Sequence, residues 1–180
     1  MGSQLHWFPL MDRQDLVVRP VRDRLTQILD PEELVGVAVA EIDTEYAAGD
    51  ALCEQYGVPW SEAANCLVIS ATRGSVTRNA ACLMAPGSRS DLNGAVRRHL
   101  AARRVTMTPR QEVLDATGME YGSITAVGLP KDWRVLIDAG YEASPALVMG
   151  SGLLRSKMRI PLDTLLKVTG GEFLPGLTRA

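Results

Sequence analysis

Residues 117–128 read T-G-M-E-Y-G-S-I-T-A-V-G, with glycines at 118, 122 and 128 among small and β-branched residues. This punctuation lets the chain turn sharply while its amides stay uncovered by bulky side chains, so the stretch predicts a loop and neither a long helix nor a long strand. Leu136-Ile137-Asp138 and then Val148-Met149-Gly150-Ser151-Gly152 follow it. A turn between sheet elements is the plain reading. A backbone-built pocket for an ester or a nucleotide end is the functional one, and the rest of the chain bears on the choice.

The remaining pattern is one of short alternating elements. Val21, Leu25, Ile28 and Leu29 share a helical face that ends near Asp30-Pro31. Residues 35–42 read as a strand, and Asp43 or Thr44 caps a helix closing at Gly57. Residues 66–71 and 80–84 are strand-like and joined through Thr72-Arg73-Gly74-Ser75 as a hairpin. Asp91 caps a helix through residue 102, and a further helix runs from Pro109 to Gly118. Short strands are expected at 135–137, 146–149 and 158–160, and Pro161 opens a last helix closed by Gly170-Gly171. Such irregular order indicates α+β more than a doubly wound sheet. A length of 180 residues, 46% hydrophobic, suits one domain, with residues 1–30 as an N-terminal extension and helix and 31–180 as the domain proper.

Several chemistries lose support. The two histidines are His6, near the terminus, and His99, within a helical apolar stripe, so no base is evident for a Ser-His-Asp site. There is no G-x-S-x-G, H-E-x-x-H or G-x-x-x-x-G-K motif. Gly150-Ser151-Gly152 is followed by Arg155 where a dinucleotide fingerprint needs a third glycine. Cys53, Cys66 and Cys82 have no metal or disulfide spacing and read as reduced, buried side chains; Cys66 has no partnering base. No metal or cofactor is expected. The net charge of −2 offers no bulk attraction for nucleic acid, so contact with RNA would rest on a local patch such as Arg97, Arg98, Arg103, Arg104 and Arg110. No membrane span or signal peptide is read, and a cytoplasmic location is expected.

From Asp43 to Phe173 the chain resembles the YbaK family of aminoacyl-tRNA deacylases, which is also the editing domain associated with prolyl-tRNA synthetase. The likeness rests on the order of its pieces: Ala47-Ala48 to Gly57-Val58, Asn65-Cys66-Leu67-Val68-Ile69, Asp91-Leu92 to Leu100, and Val113 to Gly118. It continues through Gly122-Ser123-Ile124-Thr125-Ala126-Val127-Gly128, which is similar to a G-G-x-S-P-x-G loop, then Leu136-Ile137-Asp138, Gly150-Ser151-Gly152 and residues 161–168. The resemblance implies an α+β fold with a mixed, partly barrel-like sheet flanked by helices. It implies hydrolysis of the ester at the 3′ end of a mischarged tRNA, and a free-standing trans-editing enzyme is expected because these 180 residues contain no aminoacylation domain. The implied partners are that tRNA end and an aminoacyl-tRNA synthetase, without a membrane.

Under this resemblance Asn65, Gly122 and Ser123 are the expected catalytic positions, and Thr125, Ala126, Gly128, Asp138, Gly150 and Ser151 the expected substrate-binding ones. An aminoacyl ester is already activated, so aimed amide donors that lower the barrier by ~3 to 4 kcal/mol suit it. Two positions depart from the family. Asn65 stands where a lysine is usual, and Ala126 where the loop often carries proline. Asn65 donates and accepts hydrogen bonds but brings no charge. Arg78 and Lys131 are candidate sources of a replacement charge, and without the lysine the loop's own backbone must carry more of any catalysis; the alternative reading is a catalytically silent binder of aminoacyl-tRNA or an aminoacyl ligand.

Overall fold

The runs on either side of Gly74 pair as an antiparallel hairpin in which Asn65 faces Met84 and Arg73 faces Val76. The computed structural model describes residues 4–179. In chain order its strands are β1 (Phe8–Pro9), β2 (Ala38–Glu41), β3 (Asn65–Arg73), β4 (Val76–Met84), β5 (Arg89–Ser90), β6 (Arg104–Met107), β7 (Arg134–Asp138), β8 (Ala146–Gly150), β9 (Ser156–Pro161), β10 (Glu172–Leu174) and β11 (Thr178–Arg179). Its helices are α1 (Arg19–Ile28), α2 (Pro31–Val35), α3 (Gly49–Tyr56), α4 (Arg97–His99, reached through a π-helical turn at Leu92–Val96), α5 (Arg110–Thr117) and α6 (Leu162–Thr169).

The strands form a five-stranded sheet in the order β10-β7-β4-β3-β6, a four-stranded sheet in the order β1-β2-β9-β8, and a β11-β5 ribbon. β7 runs parallel to both β4 and β10, while β3 is antiparallel to β4 and β6. The architecture is therefore α+β with mixed sheets flanked by helices, as the sequence predicts, and its two main sheets are open. An isolated bridge between Ala63 and Val148 ties the segment before β3 to β8 and draws the two sheets together.

Both faces of β4 are covered. Ala81 and Leu83 join Ile137, Met149, Met158 and Leu165 in the main core, while Ala80 and Cys82 join Ile69, Val96 and Leu136 on the other side. Full burial of such a Leu or Ile side chain contributes about 2 to 3 kcal/mol. The segment read as an extension also contributes: Leu10, Leu16, Val21 and Leu25 are buried in the main core. A third cluster, with Leu52, Cys53, Ala63 and Val148, seats α3.

The element boundaries differ from expectation for local reasons. The strand expected from residue 35 starts at Ala38, because Asp30-Pro31-Glu32-Glu33 opens α2. Asp30 Oδ1 accepts from the Glu33 amide at 2.9 Å, and Glu33 Oε2 accepts from the Asp30 amide at 3.0 Å, a reciprocal cap. The helix expected from residue 43 to Gly57 is divided. Asp43 caps only a 3₁₀ turn at Thr44–Tyr46, Ala48 is extended, and α3 begins at Gly49. Asp91 caps its helix as predicted, accepting from the amides of Gly94 and Ala95. Three helices end on the predicted glycines, Gly57, Gly118 and Gly170, each left-handed.

Candidate active site

The break between the 3₁₀ turn and α3, the start of β3, the turn after β4, the first residues of α5 and the loop after it enclose a cavity of about 920 Å³. Asn65 lies at its β3 edge, Gly122 and Ile124 come from the loop, Gly150 ends β8, and Asp50 comes from the first turn of α3. Gly122 has φ +87°, a left-handed conformation that a side chain would strain. Gly150 is needed for closeness: a Cβ there would lie 2.5 Å from the Ser123 carbonyl oxygen and 2.8 Å from that of Ile124. The loop thus rests directly on β8.

Three of the nine predicted site residues, Asn65, Gly122 and Gly150, line this cavity. The other six lie behind it or elsewhere. Ser123 is buried, its Oγ donating to the Leu153 carbonyl at 2.8 Å and accepting from the Ser151 amide at 3.3 Å. The Ser123 amide donates to the Glu120 carbonyl at 3.1 Å. Ser151 is buried with its Oγ 2.7 Å from Ser156 Oγ, and Ser156 Oγ donates to the Leu16 carbonyl at 2.7 Å. These hydroxyls knit the loop to the segment between β8 and β9 and to the N-terminal segment.

Thr125 is fully buried, and its Oγ1 finds no hydrogen-bond partner among the described residues. Ala126 lies in the main core. Gly128 packs on Pro20, where a Cβ would come 2.7 Å from the Pro20 backbone. Asp138 accepts from the Gly140 amide at 2.8 Å and from Thr178 Oγ1 at 2.6 Å, capping the turn after β7 away from the cavity.

A residue the sequence reading passed over completes the site. Lys157, on β9 opposite Gly150, is buried to 5% exposure and lines the cavity, its Nζ donating to the Ala47 carbonyl at 2.7 Å. Burial pulls its pKa down from 10.5 to about 8. Alternation along S-K-M-R-I already sets Lys157 and Arg159 on the face opposite Met158 and Ile160, yet a lone lysine in such a strand reads as solvent-facing. Ala40 on β2 and Gly150 on β8 pair across it, and α3 with its preceding turn covers that face.

The expected replacement charges lie elsewhere. Arg78 faces Ala71 near the far end of the hairpin and borders a different depression, and Lys131 is exposed and does not line the cavity. The basic cluster divides as well. Arg97, Arg98 and Arg103 surround a shallow surface hollow with Arg73, Arg104 is exposed on β6, and Arg110 stands at the main cavity over the Tyr121 ring. Cys66 lines the cavity, but burial pushes its thiol well above the ordinary range, so it is not a thiolate near neutral pH. His99 is away from the cavity, 3.1 Å from Glu172. Among the described residues no group of three or more His, Cys, Asp or Glu is placed to hold a metal ion.

The profile of the aminoacyl-tRNA editing domain matches residues 45–168, from the turn before α3 into α6. The chain belongs to this editing-domain family. Its fold recurs in the crystal structure of a proposed trans-editing enzyme for prolyl tRNA synthetase, at 20% identity and a TM-score of 0.73, covering 91% of this chain and 99% of that one. The hypothetical protein APE2540 is similar at 15% identity and a TM-score of 0.74, covering 89% and 100%. At these identities the likeness concerns the fold of the editing domain. No curated protein matches its sequence. Among the described residues of the editing domain no helix is long and apolar enough to cross a membrane.

Proposed function

We propose that this editing domain is a deacylase that hydrolyses the ester between an amino acid and the 3′ end of a tRNA, in the cavity beside Asn65. The observation that carries this reading is the meeting of Asn65, Gly122 and Gly150 in one cavity of about 920 Å³, within a chain of the editing-domain family. The volume suits an aminoacyl group with its terminal adenosine.

The local chemistry supports hydrolysis without a nucleophilic side chain. Among the described residues the Gly122 and Ile124 amides donate to no protein acceptor, while that of Ser123 is occupied by Glu120. The free amides are the ones to meet an oxyanion. Asn65 both donates and accepts, which suits holding the attacking water or the ribose hydroxyl. Asp50 offers a carboxylate to the substrate ammonium. Ser123, Thr125, Ala126, Gly128, Asp138 and Ser151 act in this reading by fixing the loop and its surroundings. The substrate is delivered by a synthetase that has released a mischarged tRNA.

Ester release from tRNAs charged with alanine, cysteine, serine, threonine and proline tests the proposal, and uniform inactivity sinks it. The uncharged amide of Asn65 favours a second reading, a silent binder of aminoacyl-tRNA. Binding of an amide-linked aminoacyl-tRNA with no release of the ester-linked amino acid, together with ester release gained in Asn65→Lys, would establish that reading instead.

A further inference from the structure

Lys157 is the one charged side chain that is buried among the described residues, and it forms no ion pair there. Its ammonium has three donors and one protein acceptor, the Ala47 carbonyl. A buried cation without a counter-charge is costly, and a Met of similar shape would fill the same space without that cost. The groove it faces is also where α3 is held apart from the preceding turn, which turns the Ala47 carbonyl toward Nζ. A structural lysine needs neither a cavity nor unused donors, and this one has both.

We propose that Lys157 is a catalytic residue of this site, its ammonium donating to the acyl carbonyl oxygen of the bound ester and stabilising the negative charge that develops there. The inference rests on the deacylase reading above. In the step itself the water oxygen adds to the acyl carbon, the bond from that carbon to the ribose oxygen breaks, and the ribose oxygen takes a proton derived from the water. The amino acid leaves with its carboxyl group restored. Lys157 supplies charge throughout and ends the cycle protonated as it began.

Its charge is set among named neighbours. Asp50 on α3, Arg89 beyond β4, and Arg110 and Tyr121 from α5 and the loop line the same cavity, and Arg159 with its partner Glu62 follows on the same face of β9. Cys66, also lining it, is pushed above the ordinary thiol range, and Cys53 in α3 is raised too, so neither thiol titrates near the ammonium. The activity should therefore fall as pH rises through about 8, when the ammonium is lost.

The test compares wild type with Lys157→Met and Lys157→Arg, reading enzyme-catalysed ester release after subtraction of spontaneous hydrolysis. Affinities for uncharged tRNA and for an amide-linked aminoacyl-tRNA are read alongside. Lys157→Met should lower kcat by about 100-fold, bind uncharged tRNA as wild type does, and lack the alkaline fall; Lys157→Arg should recover part of the loss. An unchanged kcat in folded Lys157→Met overturns the inference, as does an equal loss of affinity for charged and uncharged tRNA, which would assign the ammonium to a phosphate. Should Lys157→Met fail to fold, a wild-type kcat that is flat from pH 7 to 9 overturns it. Failure of the deacylase reading is distinct: wild type would then release no ester from any charged tRNA.

Discussion

The guanidinium carbon of Arg110 lies 3.6 Å from the centre of the Tyr121 ring, and both residues border the cavity. Tyr121 is 59% exposed, an unusual state for a large aromatic ring on the loop that shapes the site. A ring presented in this way is a platform for a nucleobase, and stacking contributes about 1 to 3 kcal/mol per base. Tyr121→Ala is expected to raise KM for charged tRNA about tenfold or more with kcat changed less than about threefold. Steady-state kinetics decide it, and a loss confined to kcat would place the ring at the reacting bond instead.

The ammonium of Lys157 also makes a prediction about stability. Its folded pKa of about 8 lies below the 10.5 of an exposed lysine, so the unfolded chain binds the proton more tightly between those values. Stability should therefore rise with pH from about 8 toward 10.5, the cost of the buried charge being fully present below that window. A shift of this size corresponds to roughly 3 kcal/mol, against which Lys157→Met loses the bond to Ala47. That variant should melt several degrees higher than wild type at pH 7, with the gap narrowing by pH 10. Calorimetric scans across pH measure both, and a lower melting temperature at pH 7 would count against an unpaired buried ammonium.

Gly150→Ala probes the seat of the loop. The added Cβ would meet the carbonyl oxygens of Ser123 and Ile124, which belong to backbone and cannot rotate away. Overpacking of this kind typically costs about 1 to 3 kcal/mol. Chemical denaturation should show that loss, and ester release should fall by at least tenfold because Gly122 moves with its neighbours.

Ser123→Ala separates a brace from a reacting hydroxyl. Removing Oγ loses the bond to the Leu153 carbonyl, which keeps the Ser156 amide and Ser151 Oγ as donors, and leaves the buried Ser151 amide without its acceptor, at a cost of about 1 to 3 kcal/mol. Ester release at 20 °C should stay within about tenfold of wild type while the melting temperature drops. A loss of a thousandfold in a variant that keeps its stability would return Ser123 to the reaction itself.

Much of this fold is legible in the sequence because its signals are local. The caps at Asp91 and the three helix-ending glycines need only neighbouring residues to be read, and the hairpin follows from two apolar runs around Gly74. What escapes is set by distant contacts. β6 and β10 carry no strong periodicity and become strands by pairing with β3 and β7. The site divides in the same way. Gly122 and Gly150 are marked by residue type, and Asn65 by its place at the head of a strand, whereas Lys157 belongs to the cavity only because β9 lies beside β8. Ser123 and Ser151 look exposed in a glycine-rich tract, yet the Ser123 hydroxyl is buried against the Ser151 amide and the Leu153 carbonyl, and the Ser151 hydroxyl against Leu153 and Ser156.

The N-terminal segment adds a last consequence. The Val18 amide donates to the Ser151 carbonyl at 3.3 Å, Ser156 reaches the Leu16 carbonyl, and Gly128 and Gly152 are pressed against Pro20 and Val18. All three of these N-terminal residues, Leu16, Val18 and Pro20, precede the span matched by the editing-domain profile. Under the proposed activity, substrate preference is therefore open to drift from outside the family's own sequence: a change of bulk at position 18 would shift Gly152, and with it the loop it bonds through the Ser123 carbonyl, while every cavity-lining side chain stayed the same.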